Sequence, residues 1–270
     1  MKRLALLACA LGATLPLSAQ TLWDNGPLQT GTLSGNNVSM AESIGTAAGG
    51  ATNSLLGTAV RNEAVSGSNP QHVADDFTVP VGMIWNITNF RFFGYQTSSG
   101  TTSTLTGAYF KIWSSQPGDP DDASMFGDFT TNRMTGTSFT GIYRIASGGA
   151  FANNRPIMQV DAAQGTPLVL TEGTYWISWG FTGSTALTGP WMPPVTPSDQ
   201  GIANAMISSN FGSFGQFQSA ITNNGTATGS FLNYEAPFVL EGTAVPEPGT
   251  MIALGAGALG LLARRRRNTA

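Results

Sequence analysis

Cysteine is almost missing from this 270-residue chain: Cys9 stands alone, inside the opening hydrophobic run. A domain lacking that residue has no disulfide, no thiolate zinc site and no cysteine nucleophile. Histidine is equally scarce, with His72 the single copy. That excludes a two-histidine metal centre within one chain and leaves a Ser-His-Asp triad only one base to use. Charge is thin too, at 10% of residues, against roughly 25% in an average soluble domain. The only lysines are Lys2 and Lys111, so the Glu–Lys pairs that support surface helices are nearly absent. Neither a Gly-x-Ser-x-Gly elbow nor a phosphate loop with its lysine occurs.

Small and turn-forming residues fill the space. Gly, Ser, Thr and Asn together supply 106 residues, while 41% hydrophobic and 10% aromatic content argues against wholesale disorder. No ten-residue amphipathic helix pattern appears outside the termini. An all-β domain with a neutral polar surface is what remains.

The net charge of −3 conceals a division. Half of the twelve basic residues sit at the ends, as Lys2, Arg3 and Arg264 to Arg267. All fifteen acids lie between Asp24 and Glu247, so the middle carries a net −9. Such a domain repels phosphate, and nucleic acid is excluded as a partner.

The two ends read as addresses. Lys2-Arg3, an apolar run from Leu4 to about Leu17, and Ser18-Ala19-Gln20 make a secretory signal peptide over residues 1–19, cut after Ala19 and handled by the Sec machinery. At the other end Pro246-Glu247-Pro248 precedes an uncharged stretch from Thr250 to Ala263 and then Arg264, Arg265, Arg266 and Arg267. As a helix those fourteen residues rise about 21 Å, short for a hydrocarbon core of about 30 Å. The arginines should stay cytoplasmic, which puts the preceding domain on the far side of the membrane.

These three parts in this order, over residues 245–270, resemble the PEP-CTERM sorting signal of Gram-negative bacteria that make exopolysaccharide or biofilm. The resemblance implies recognition at Pro246, Glu247 and Pro248 by exosortase, a protease-like membrane enzyme. It also implies passage through the inner membrane, transient anchoring by the C-terminal helix, and delivery to the cell surface or beyond. It says nothing about the activity of the cargo.

Between the addresses, residues 20–244 read as one domain. Strands are expected at His72–Val79, Ile84–Tyr95 with a bulge at Gly94, Leu105–Trp113, Phe139–Ile145, Pro156–Asp161, Pro167–Leu170, Gly173–Phe181, Ile202–Ser208 and Pro237–Gly242. In Gly173–Phe181 the alternation puts Tyr175, Ile177, Trp179 and Phe181 on one side and Thr174, Trp176 and Ser178 on the other. The residues from Gln20 to about Gly67 offer short edge strands and loops, and Gly189–Gln200 reads as a Pro-rich loop. Short strands with Gly/Pro turns suggest a single antiparallel β-sandwich, jelly-roll-like. Asp75-Asp76-Phe77, Gly173-Thr174-Tyr175-Trp176, Gly189-Pro190-Trp191 and Pro237 to Gly242 are also similar to a group of PEP-CTERM cargo proteins without assigned activity. That resemblance implies a β-sandwich and no more.

Three constellations carry chemistry. Trp191, Trp176 and Tyr109 are candidates for stacking against sugar rings, with Trp191 best placed in its loop; core packing is the competing use. Asp119, Asp121 and Asp122, with Asp128 nearby, could chelate Ca²⁺ from oxygen ligands, although Pro-Gly-Asp-Pro is also ordinary turn chemistry. Asp75, Asp76, Asp161, Glu172 and Glu235 could supply a carboxylate pair for glycoside hydrolysis, which needs about 5–10 Å between carboxyls. The leading expectation is a non-enzymatic surface or matrix protein that binds exopolysaccharide. A secreted glycan-active hydrolase and a calcium-stabilised structural module are the alternatives.

Overall fold

A computed structural model describes residues 19–41, 56–62, 70–117, 124–146, 149–195, 204–208, 217–219 and 235–247. Cys9, the signal peptide up to Ser18, Asp119, Asp121, Asp122, Pro248, the C-terminal apolar stretch and Arg264 to Arg267 lie outside the described residues. The strands in chain order are β1 (Gln20–Asp24), β2 (Gly31–Leu33), β3 (Asn36–Ala41), β4 (Thr58–Ala59), β5 (Val73–Val79), β6 (Met83–Thr97), β7 (Leu105–Trp113) and β8 (Ser124–Asp128). They continue as β9 (Met134–Ala146), β10 (Pro156–Ala162), β11 (Leu168–Leu170), β12 (Gly173–Gly183), β13 (Thr188–Met192), β14 (Met206–Ser208), β15 (Phe217–Ser219) and β16 (Phe238–Pro246). Among the described residues there is no α-helix, and so no helix long and apolar enough to cross a membrane.

Two sheets share one core. The larger runs β1-β16-β6-β10-β9-β3-β2, with β11 and β13 also on β6 and β4 on β13; the smaller runs β15-β14-β5-β12-β7-β8. The inner faces follow from alternation. Tyr175, Ile177, Trp179 and Phe181 of β12 and Ala108, Phe110 and Ile112 of β7 enter the core opposite Phe90 and Phe92 of β6 and Phe238 and Leu240 of β16. Aromatic rings interlock there: Phe90 and Phe110 lie 4.4 Å apart between centroids, and Phe92 and Trp179 5.0 Å. Such pairs add about 0.5–1.5 kcal/mol each beyond their burial. The opposite face of β12 carries Trp176, which packs with Trp113, Ala74 and Met206 in a second cluster, and Ser178, which accepts a hydrogen bond from Trp113 Nε1 at 2.8 Å.

β6 is the spine of the larger sheet. Along one side β16 pairs from Phe238 opposite Phe92 to Pro246 opposite Met83, while β11 and then β10 pair along the other. The inward set of β6 switches parity, from Trp85 and Ile87 to Phe90 and Phe92. The register shift that permits this falls between Glu241 and Gly242, opposite Thr88. The bulge is therefore not at Gly94, where β10 stays in register through Met158. Gly94 is needed for a different reason: a Cβ there would stand 2.6 Å from the Phe181 ring.

Two further expectations are corrected. The sheets are not purely antiparallel, because β3 runs parallel to β9, with Asn37 opposite Ile142 and Ala41 opposite Ala146. β3 follows β2 through a two-residue turn, with positive φ at Ser34 and Gly35, and the long chain between β3 and β9 leaves their relative direction free of any hairpin constraint. Trp191 lies in a strand, not a loop: β13 pairs Trp191 with Tyr95 and with Ala59. Pro190 offers no N–H, but its carbonyl accepts from Val60 at 3.1 Å, which is how a proline is accommodated at the end of a sheet.

The registers define two ends. At one end lie the start of β1 (Gln20 opposite Gly242), the end of β16, the β5–β6 turn and the start of β12 (Gly173 opposite Val79). At the other, ~45 Å away along the fifteen residues of β6 at about 3.3 Å each, lie the end of β6 and the β9–β10 connection.

Candidate functional site

The distal end carries a cleft of about 450 Å³ lined by Ser98, Ser99, Gly100, Thr101, Tyr143, Asn153 and Asn154. Its walls are the segment leaving β6 and the β9–β10 connection, joined by a hydrogen bond from the Ser98 N–H to the Asn154 carbonyl at 2.7 Å. Ser98 turns the chain with φ of 67° and Ser99 closes the turn, its hydroxyl donating to the Gln96 carbonyl at 2.8 Å. Tyr143 supplies the aromatic surface and is held by a tilted contact with Phe139 at 5.1 Å and an edge contact with Phe151 at 5.4 Å. None of the lining side chains is charged.

Beneath this end the next residue of β9 acts as a lock. Arg144 is fully buried and donates to the carbonyls of Leu56, Met40 and Pro194 and to the Ser39 hydroxyl. Tyr95 donates to the same Leu56 carbonyl at 2.8 Å, and burial raises its phenol above the ordinary range. A buried cation surrounded by carbonyls fixes backbone positions on three other segments, because leaving any of its donors unpaired is costly.

Of the five carboxylates considered for a hydrolytic pair, the fold brings two together. Asp75 and Glu235 are buried, share a hydrogen bond, and are bridged by Asn25, whose Nδ2 lies 2.7 Å from Asp75 Oδ2 and 3.2 Å from Glu235 Oε2. The Ala236 and Asp76 N–H groups also donate to Asp75, at 2.7 and 2.9 Å. Burial first, and then the Glu235 charge, push the Asp75 carboxyl well above the usual range; burial raises Glu235 as well. Asp75 points into the core alongside Val73 and Phe77, and the pair fastens the exit of β1, the middle of β5 and the approach to β16. This arrangement is a clamp between segments, with most of its acceptor capacity in use.

The other three serve elsewhere. Asp161 and Glu241 hold Arg91 between them on the outer face of the larger sheet, at 3.1 and 3.0 Å. Glu172 accepts from the Gly82 N–H at 2.7 Å, and Asp76 is half-buried on the face opposite Asp75. Asp128, next to the acidic loop, accepts from Thr130, Thr131 and Arg133, which lowers its pKa below the ordinary range. Among the described residues no group of three or more His, Cys, Asp or Glu side chains is placed to hold a metal ion.

The aromatic candidates do not form one platform. Trp176 is only 6% exposed, within its cluster. Tyr109 lies on the same sheet but four residue steps away along the register, opposite Gly180, where Trp176 is opposite Trp113. Trp191 belongs to the other sheet and packs half-buried against Tyr95, Phe93 and Ile157. His72 is buried, stacked on Phe129 at 3.7 Å and bonded to Asn62 at 2.9 Å; burial holds its pKa down at about 3, so the ring is neutral. Sequence reasoning missed the cleft because its lining residues are common turn formers. The adjacent Asn153 and Asn154 beside an aromatic strand were the only available signal.

At the other end the chain enters its sorting segment directly. A family model described as the PEP-CTERM protein-sorting motif matches residues 244–267. The match begins inside β16, which runs to Pro246, two residues past the boundary expected after Ala244. The motif implies sorting by exosortase, and with it export and a C-terminal membrane-anchoring signal. Comparisons with curated proteins and with solved structures found no match.

Proposed function

We propose that this chain is an exosortase-sorted, non-enzymatic protein of the bacterial surface or biofilm matrix. In this reading its ectodomain is a jelly-roll-like β-sandwich that binds exopolysaccharide. The observation that carries the reading is the sorting motif at residues 244–267, joined without a linker to the end of a folded sheet. The distal cleft supports the second half. Serine, threonine and asparagine groups match the hydroxyls of a sugar, and the Tyr143 ring offers an apolar surface for a pyranose face. A lining without charge suits a neutral glycan better than an anionic one.

The sorting half is tested by a Pro246→Ala/Pro248→Ala variant, which should remain unprocessed in the membrane fraction; wild-type processing and location would refute it. The binding half is tested by affinity electrophoresis of the exported protein in neutral and anionic polysaccharides. Retardation by a neutral glycan that disappears in Tyr143→Ala is expected. Equal mobility with and without every glycan would remove the binding claim.

A further inference from the structure

We infer that the end of β16 gates processing: Pro246 is the last residue of the folded sheet, Glu247 is bonded to the β5–β6 turn beside it, and exosortase can take them only after the strand end peels away from β6. The inference rests on the exosortase reading above. Ala244, Val245 and Pro246 pair with Trp85, Ile84 and Met83, and the Glu247 N–H donates to the Gly82 carbonyl at 2.9 Å. Gly82 is itself held, its N–H donating to the Glu172 carboxylate at 2.7 Å within the Pro80–Met83 turn, which a 3.1 Å bond closes. The first two residues of Pro246-Glu247-Pro248 are therefore occupied by intramolecular bonds.

An enzyme that reads an extended peptide does so through main-chain hydrogen bonds. A backbone N–H or carbonyl already engaged with β6 is not free to make them. Strand ends open locally far more easily than the core does, so the folded chain remains a substrate, but only in its frayed fraction. Pro246 contributes no N–H, which makes the ladder one-sided there and leaves the Glu247–Gly82 bond to close the end. Upstream, Phe238 and Leu240 are fully buried and stay in place while the end opens. Processing is thereby coupled to the local stability of the ectodomain at the point where the chain leaves it.

The test uses the full-length chain in cells containing exosortase, following conversion to the processed form over time and its C-terminus by mass spectrometry. Ile84→Cys/Val245→Cys places two thiols at directly opposed positions, where a disulfide can close. The oxidised form should be processed at least tenfold more slowly than wild type, and reductant should restore the rate. Glu172→Ala, on an exposed residue, removes the acceptor that steadies Gly82 and should speed processing about two- to fivefold. Wild-type processing of a pinned chain shown to be oxidised on a non-reducing gel would overturn the gate. If that variant fails to fold, an unchanged rate in Glu172→Ala overturns it instead. When Pro246→Ala/Pro248→Ala blocks processing but pinning does not, the gate fails and the sorting reading stands; when neither blocks it, both fail.

Discussion

The two ends of β6 are made of different materials. At the Met83 end, backbone ladders carry the structure: β16 pairs to its last residue, β1 begins against it, and the closing contacts are main-chain bonds around Gly82. At the Thr97 end, side chains add to the backbone pairing: the buried Arg144 guanidinium gathers carbonyls from separate segments, and the cleft above presents hydroxyls and amides to solvent. The first end handles attachment, since both termini of the ectodomain leave from it. The second lies at the far end of β6, and it is the end that meets the glycan in the proposed function. One long strand connects the two ends and keeps them ~45 Å apart at about 3.3 Å per residue.

The largest effect expected from breaking this arrangement is at Gly242. A Cβ there would lie 2.0 Å from the Asn86 carbonyl oxygen and 2.9 Å from Ile87 Cα, both backbone atoms of the spine. Neither can rotate away, so Gly242→Ala must open the bulge that sets the parity of β6. A loss of about 3 kcal/mol, at the upper range for overpacking, is expected in urea unfolding of the exported protein. A change below about 0.5 kcal/mol, typical of neutral surface sites, would mean that β16 does not approach β6 this closely.

Next in size is a pH response centred on the clamp between the ends. The Asp75 and Glu235 carboxyls are raised in the fold above ordinary values of 3.8 and 4.5, so the stability of their protonated form is lost as pH climbs toward the raised values. His72 has the opposite sign: held at about 3 against an ordinary 6.5, its neutral ring contributes above pH 6.5 and that contribution is lost as pH falls. As pH rises from the ordinary carboxyl values toward about 6.5, the two responses oppose each other. Above about pH 6.5 the His72 contribution no longer changes, so any further fall in melting temperature with rising pH is the carboxyl pair's own. Glu235→Gln, which supplies a permanent donor to Asp75, should remove most of the fall. An equal fall in that variant would show that the pair holds no proton.

How much of this was legible in the sequence depended on whether a feature was local. The inward face of β12 could be read because Tyr175, Ile177, Trp179 and Phe181 alternate over one unbroken strand, and the outward Trp176 followed from the same count. The C-terminal sorting motif was legible because it is contiguous. The parity switch in β6 was not, since it depends on a glycine in β16 that lies about 150 positions away along the chain. The clamp was only half legible: its acids were among the candidates, but Asp75 and Ala236 are separated by 161 residues, and no spacing rule joins them. Gly189 and Pro190 mark a turn by composition and so put Trp191 in a loop, whereas its pairing comes from β4 and β6, which local composition does not reveal.

A smaller effect is expected at the cleft itself. Tyr143→Ala should weaken glycan binding about tenfold, or about 1.4 kcal/mol, without lowering stability as far as Gly242→Ala. Removing one amide, in Asn153→Ala, should weaken it by only a few-fold, since a single net hydrogen bond is worth about 1 kcal/mol. If Trp191→Ala reduced binding more than Tyr143→Ala, the ligand site would lie over β13 rather than between β6 and β9.

The smallest expected effect is the one that best separates the two ends. Gly100, in the cleft wall, has nothing within 4 Å of an added Cβ, the reverse of Gly242, and neither glycine has a positive φ. Gly100→Ala should therefore leave stability within about 0.5 kcal/mol of wild type, as surface substitutions usually do. The added methyl would project into open space beside the ligand, so any effect should appear in glycan affinity, read from the same electrophoresis, and not in the melting curve. A destabilisation as large as that of Gly242→Ala would mean that the distal end is packed as tightly as the attachment end. The cleft would then be closed, and the division of labour along β6 would not hold.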